Sequence, residues 1–411
     1  MDERYRERAE QHRAEIVGFA AQLIRTPSPS GQEGAIANLV AERMRSLGYD
    51  DVFLDEVGNV VGVIRGTGKG RDILFCSHLD TAEPGDLELW EEPPFSGTEE
   101  GDALLGLGAS TSKGSLAAQV HAASLLKEEN LAGNLIVAGI VMSERSEGFG
   151  ISHLFDRTLP SRQLKPSLVV MGDPTGLDLF LGQRGRMEIE VMTIGRTSHA
   201  SVPWLGVNAV YKMTSVVEGL HELATTLPSH PFLEKSTLAL TELSCTPARP
   251  STIPDRCVAL LDRRYLPTES LDTILMQVQS LLNKASVKDP EFKGEARIRS
   301  VKESAYTGLV KEVPKVLAPF MTSEAHPLVS MVVEALEAQG DSPQFDKWYY
   351  STEAGYPAGI LGIPTIGYAP GEEKYAHTPY DRVKIVNLLQ AAAGYAAIAR
   401  VIAGDEDGQE E

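Results

Sequence analysis

Between residues 3 and 23 apolar positions recur every three to four residues, the register of a helix that buries one face. The pattern stops at Thr26-Pro27-Ser28-Pro29-Ser30-Gly31, where two prolines and a glycine forbid continuation. A second helix is predicted over 33–47. Beyond it, short apolar runs at 59–64, 72–76, 135–142 and 167–171 alternate with helical stretches, one of them over 114–128. Such alternation predicts an α/β domain on a mixed, mainly parallel sheet. Ligands bind beyond the carboxyl ends of the strands in sheets of this kind. His78, Glu144 and Asp173 each stand just after a predicted strand, where a shared site would form.

The texture changes near Arg186. Met187-Glu188-Ile189-Glu190-Val191 alternates like a half-exposed strand, a helix is predicted over 206–225 and another strand over 257–261. These features predict a smaller inserted α/β domain with an open sheet edge. After a proline-bearing connection at 312–319, a helix at 327–338, a strand at 362–368 and a last helix at 384–402 return the chain to the first domain. The predicted division is 1–185 and 311–411 for a discontinuous catalytic domain, with 186–310 inserted as a lid. No internal repeat or low-complexity tract interrupts it.

At 411 residues the chain is long enough for two cores. A formal charge of −19 disfavours nucleic acid and anionic membranes as partners. The longest predicted apolar run is too short to span a bilayer and the start lacks a signal peptide's apolar segment, so a cytoplasmic protein is expected. Cys76, Cys245 and Cys257 have no paired metal spacing and read as buried reduced thiols. The charged tail 404–411 reads as a solvated end.

Chemistry enters with His78-Leu79-Asp80. After a buried strand, an imidazole can bind metal through one nitrogen while a carboxylate accepts its other N–H and fixes its aim. Alone, the triplet also describes a hydrogen-bonded histidine at a strand end. It gains meaning from the company it keeps: Ser143-Glu144-Arg145, Gly172-Asp173-Pro174, Lys113-Gly114, Gly182-Gln183-Arg184-Gly185-Arg186, Ser198-His199-Ala200-Ser201, Asp262-Arg263-Arg264 and Ala376-His377, in this order. With these motifs the chain resembles the zinc-dependent aminoacylase, acetylornithine deacetylase and succinyl-diaminopimelate desuccinylase family over nearly its whole length. Within it, the closest likeness is to selenium-metabolism-linked peptidase-like members. The resemblance implies a phosphorylase/hydrolase-like zinc-exopeptidase domain with an inserted dimerisation lid. It also implies two metal ions, one held at the positions of His78 and Asp173 and the other at those of Arg145 and His377. A carboxylate at the Thr111 position would bridge them, and Glu144 would be the general base. The counterpart of His199 reaches the partner subunit's site, and that of Arg264 binds a substrate carboxylate.

Thr111 and Arg145 depart from this pattern. A neutral hydroxyl cannot balance two dications, and a guanidinium about 4 Å from one is repelled by roughly 8 kcal/mol at an effective dielectric near 20. The expectation is therefore one divalent ion per chain, zinc or manganese, held by His78, Asp173 and His377. Arg145 would supply fixed positive charge in place of the second ion, or pair with Glu144 or Glu147. Thr111 and Arg264 would contact the substrate. The predicted activity is hydrolysis of a carbon-nitrogen bond, amide or amine, in a small carboxylate-bearing substrate by a homodimer formed through the lid, or by a higher homo-oligomer. The competing reading is a metal-free, inactive or repurposed binding protein. Elimination or deamination at the same pocket and a Ser-Lys nucleophile built on Ser110, Thr111 or Ser112 with Lys113 are weaker alternatives. Trp204, Trp348, Tyr349 and Tyr350 fit either an aromatic pocket wall or core packing.

Overall fold

The computed structural model describes residues 3–126 and 129–404. The end of the 114–128 helix and the charged tail from 405 onward lie outside them. The central element is a nine-stranded sheet whose spatial order is Asp51–Leu54, Val60–Ile64, Leu135–Ile140, Asp72–His78, Pro166–Met171, Thr365–Gly367, Leu179–Gln183 and Phe320–Met321, with Phe345–Trp348 also paired to Leu179–Gln183. The middle of the sheet is parallel, Asp72–His78 lying between Leu135–Ile140 and Pro166–Met171. Those strands are buried along nearly their whole length, so they read as continuous apolar runs instead of alternating. Helices cover both faces, giving two apolar layers on either side of the sheet.

Three expectations need adjusting. The first helix is broken at His12, which leaves helical geometry (φ −95°, ψ 10°) between Arg4–Gln11 and Arg13–Arg25. The lid helix begins at Ala209, capped by the Asn208 side chain on the Val210 N–H. Cys245 is only half-buried. The closing helix, Ile385–Ala403, is long and apolar enough to cross a membrane, but 72% of its apolar window is buried inside the protein, where it packs against Gly114–Leu125 and Pro327–Ala338.

The lid is an antiparallel sheet ordered Thr237–Thr246, Arg256–Tyr265, Gly185–Ile194 and Lys293–Ile298, with Val316–Leu317 also joined to Gly185–Ile194. Strict alternation of burial along Gly185–Ile194 and Arg256–Tyr265 marks a sheet with one face on a core. Helices Ala209–Thr225 and Leu271–Lys288 supply that core. Thr237–Thr246 is the open edge, largely exposed.

Inside the main body, His121 is fully buried, accepts an N–H from Arg43 at 3.1 Å and lies 2.9 Å from the Ala117 carbonyl through its other nitrogen. Burial, helped by the Arg43 charge, holds its pKa down to about 4. A ring kept neutral in the fold but free to protonate near pH 6.5 when unfolded contributes stability that is complete above pH 6.5. That contribution is lost as pH falls toward 4, roughly 3 kcal/mol in all. His121→Gln is expected to flatten the pH dependence of the urea midpoint, relative to the parent, between pH 6.5 and 4. An unchanged slope would show that His121 does not carry it.

Candidate active site

The site grows from three strand ends. His78 closes the strand Asp72–His78, and its Nδ1 lies 2.8 Å from the Asp80 carbonyl and 3.3 Å from Asp80 Oδ1, leaving Nε2 to face the cavity. Asp80 is fully buried. It accepts the Ser30 hydroxyl (2.6 Å) and the backbone N–H groups of Ser143 (3.1 Å) and Glu144 (2.9 Å). Burial alone would raise its pKa, but the hydrogen bonds from His78, Ser30 and Glu144 hold it below the usual carboxylate range.

After Leu135–Ile140 the chain turns sharply at Met142, a non-glycine residue at φ +65° whose N–H is accepted by Glu33 Oε1 (3.0 Å). That turn aims Glu144 into the cavity. Asp173 follows Pro166–Met171 behind Gly172, where a Cβ would sit 2.0 Å from Ser77 Oγ, so only glycine lets the strand end approach so closely. His377 comes from the last loop, also at positive φ (+59°), and its Nε2 meets Glu144 Oε1 at 3.1 Å. His78 Nε2 stands 4.0 Å from that same oxygen.

These groups share a cavity of about 450 Å³ with Thr111 and with Arg186 and Arg264 from the lid. Thr111 sits on a wide helical turn, 109–113, pinned by Asp381, which accepts the N–H groups of Gly108 (2.6 Å) and Ser110 (2.8 Å). The neighbouring hydroxyls are engaged elsewhere, Ser110 on the Glu372 carbonyl and Ser112 on that of His78, while Lys113 donates to the Thr26 carbonyl at 2.8 Å. Nothing in that arrangement activates a serine.

Carboxyl groups outnumber arginines on the cavity wall. Burial and the Glu144 charge push Asp173 up to about 6, even though His78 opposes them. Burial would depress His78, yet Asp80, Glu144 and Asp173 raise it to about 10. A pair of imidazole nitrogens and one aspartate, crowded by further carboxylates, suit a divalent cation in kind. Among the described residues, no three His, Cys, Asp or Glu side chains are gathered closely enough to hold an ion as they stand. Glu144 and His377 instead contact each other. Thr111 and Arg145 bring no carboxylate to the cavity.

Arg145 does not do what its position predicts. Its side chain is 63% exposed, turned away from the cavity and paired with Glu303 at 3.2 Å, not with Glu144 or Glu147. Glu147 is taken by Arg186 and Lys315. Arg264 does reach the cavity, but Nε and Nη2 grip Asp262 (2.6 and 3.1 Å) and Nη1 donates to Ser351 Oγ (3.2 Å). Its charge is matched before any substrate carboxylate arrives. Arg263 points the other way into the lid and pairs with Glu269. His199 lies on an exposed lid loop with Nδ1 2.7 Å from Ser201 Oγ, outside the cavity of its own chain. Of the aromatic residues, Tyr350 lines the cavity. Trp348 is a core residue against Phe180, and Trp204 and Tyr349 are exposed. Sequence reading missed Glu353 and Glu373, both on the cavity wall. The faint signal was a carboxyl between the small residues Thr352 and Ala354 in the loop that follows the strand Phe345–Trp348.

Fold and site together define an α/β hydrolase of the zinc-exopeptidase type carrying an inserted lid. Residues 74–401 match the Peptidase family M20/M25/M40. The chain is 31% identical to the uncharacterized protein YgeY of Escherichia coli over 95% of both chains. It is 24% identical to N-formyl-4-amino-5-aminomethyl-2-methylpyrimidine deformylase of Bacillus subtilis over 93% of both. An M20 family metallo-carboxypeptidase from Sulfolobus solfataricus superposes with a TM-score of 0.75 at 20% identity, covering 95% of this chain and 99% of that one. The protein belongs to the M20/M25/M40 peptidase family, whose members are metal-dependent hydrolases acting on amide bonds.

Because Arg145 faces solvent and Glu303, Arg145→Ala is expected to change stability by no more than about 0.5 kcal/mol. The thermal shift produced by zinc or manganese should be the same as in the parent. A large change in that shift would place the guanidinium at the metal after all.

Proposed function

We propose that the protein hydrolyses a carbon-nitrogen bond in a small substrate using one divalent ion held by His78, Asp173 and His377. The observation that carries this reading is the approach of two imidazole nitrogens, 4.0 and 3.1 Å away, to a single oxygen of Glu144. A bound ion would act as a Lewis acid and lower the pKa of a water beside it. Glu144 would serve as the base that takes a proton from the attacking water and returns it to the departing nitrogen, as the C–O bond forms and the C–N bond breaks. Asp80 holds the His78 ring in the orientation that leaves Nε2 for the cation. Thr111, buried on the cavity wall, offers a hydroxyl to the substrate. His199, exposed on the lid, would act across a homodimer, entering the partner's cavity.

The carboxylate expected on the substrate has less support than the hydrolysis itself, since Arg264 is already neutralised by Asp262. The competing metal-free binding role draws on the direct Glu144–His377 contact, which partners both groups without any ion.

Two variants separate these readings. Glu144→Gln is expected to lower kcat by about 10²- to 10⁴-fold in the metal-loaded protein while leaving its metal content intact. Asp80→Asn is expected to weaken metal affinity by about 10- to 100-fold in calorimetric titration. A parent protein whose thermal midpoint ignores zinc, manganese and chelator alike would favour the metal-free role, because a ligand bound at 100 times its Kd raises apparent stability by about 2.7 kcal/mol.

A further inference from the structure

We propose that the cavity selects substrates carrying a cationic nitrogen, which is accepted by the free oxygen of Glu353. The proposal deepens the hydrolase reading and rests on it for identifying the cavity as the substrate site. Glu353 is only 3% exposed and forms part of the cavity wall. Its Oε2 accepts the Gly148 N–H at 2.9 Å, whereas Oε1 is buried with no hydrogen-bond partner among the described residues. The Ser143 side chain supplies the carboxyl with a hydrogen bond that lowers its pKa, but it brings no charge, and no lysine or arginine among the described residues forms an ion pair with Glu353. Lys311, whose ammonium feels Glu353 at a distance, donates to Ser152 Oγ instead (2.6 Å).

A buried carboxyl that keeps one oxygen unpaired costs folding free energy unless something in the functional cycle satisfies it. Burial, with Glu147 and Asp173 adding their repulsion, pushes Glu353 up to about 8, which reports the same missing countercharge. A ligand without N–H or O–H donors would leave this oxygen as orphaned as before. An ammonium or guanidinium brings both the donor and the charge.

Charge balance across the cavity points the same way. Arg186 is spent on Glu147, Glu188 and Asp262, and Arg264 on Asp262. Against them the wall sets Glu144, Asp173, Glu353 and Glu373. One dication beside Asp173 and Glu144 offsets two of these charges. Glu353 and Glu373 remain, carboxyls that burial pushes up to about 8 and about 7 and that ionise fully only when a cation arrives, and among the described residues the wall holds two more buried atoms without hydrogen-bond partners, Glu373 Oε1 and the Tyr350 hydroxyl. A pocket so rich in unpaired acceptors and so short of cations is complementary to a positively charged, donor-bearing ligand, not to a second carboxylate.

The test compares Nα-acetyl-L-lysine with Nα-acetyl-L-norleucine, which have the same backbone but end in an ammonium or a methyl group, on the metal-loaded full chain. Binding is read by calorimetry and amide cleavage by amine release. The lysine derivative is expected to bind at least about tenfold more tightly, and Glu353→Gln to reduce that ratio below about threefold. Glu353→Asp, which keeps the charge, should retain a preference for lysine and guards against a Gln variant that fails to fold. Equal affinities, no measurable binding of either compound, or a ratio that survives Glu353→Gln overturns the cationic subsite. Preferential lysine binding without cleavage of either compound leaves the subsite standing and counts against the hydrolase reading. Cleavage of both at equal kcat/KM does the reverse.

Discussion

A carboxylate withdrawn wholly from water holds this site together. Asp80 is 0% exposed, and the desolvation of its charge is offset by four groups from separate parts of the chain: the His78 ring, the Ser30 hydroxyl and two consecutive backbone N–H groups at Ser143 and Glu144. Hydrogen bonds to a charged acceptor contribute about 1.5–3 kcal/mol each. They can form together only if the strands Asp72–His78 and Leu135–Ile140 end at the same height and the Pro27–Gly31 turn folds over them. The same residue therefore fixes sheet register, aims an imidazole and sets the base loop. Glu33 repeats the device one layer out by accepting the Met142 N–H at the strained turn.

Around that anchor the cavity wall carries more carboxyl groups than its arginines can pair. The lid contributes Arg186 and Arg264, yet both arrive already paired to Glu147, Glu188 and Asp262. They act as a brace between lid and body rather than as free cations. What remains on the wall is a set of carboxyls whose pKa values are raised by burial, Asp173 to about 6, Glu373 to about 7 and Glu353 to about 8. Such a set is complementary to cations brought from outside, a metal ion at one end and a charged substrate group at the other. Thr111 brings a neutral hydroxyl and no carboxylate to the end of the cavity near His78 and Asp173. The outward turn of Arg145 adds no positive charge there.

Much of this was legible in the sequence wherever local rules act. His78, Glu144 and Asp173 could be placed on one side of a sheet because each follows an apolar run long enough to be a buried strand. The lid announced itself at Met187–Val191, where alternation replaced continuous apolarity. The break at His12 was not legible, since histidine is tolerated inside helices and no proline or glycine marks it. Nor was the direction of Arg145. Its orientation depends on the positive-φ turn at Met142 and on Glu303, 158 residues further along the chain. Glu353 was hidden for the opposite reason: a loop carboxyl reads as solvated until the strands beneath it are assembled. Arg264 was found, but its neutralisation by Asp262, two residues away on the same strand face, was overlooked.

The central claim is that the site accommodates one metal ion and not two. Anomalous diffraction from crystals soaked in zinc, collected on both sides of the metal absorption edge, tests it most directly. The account predicts a single peak per chain, in contact with His78 Nε2 and Asp173, with Thr111 and Arg145 outside its coordination sphere. Two peaks a few ångströms apart, or none at full zinc occupancy elsewhere in the crystal, would contradict it.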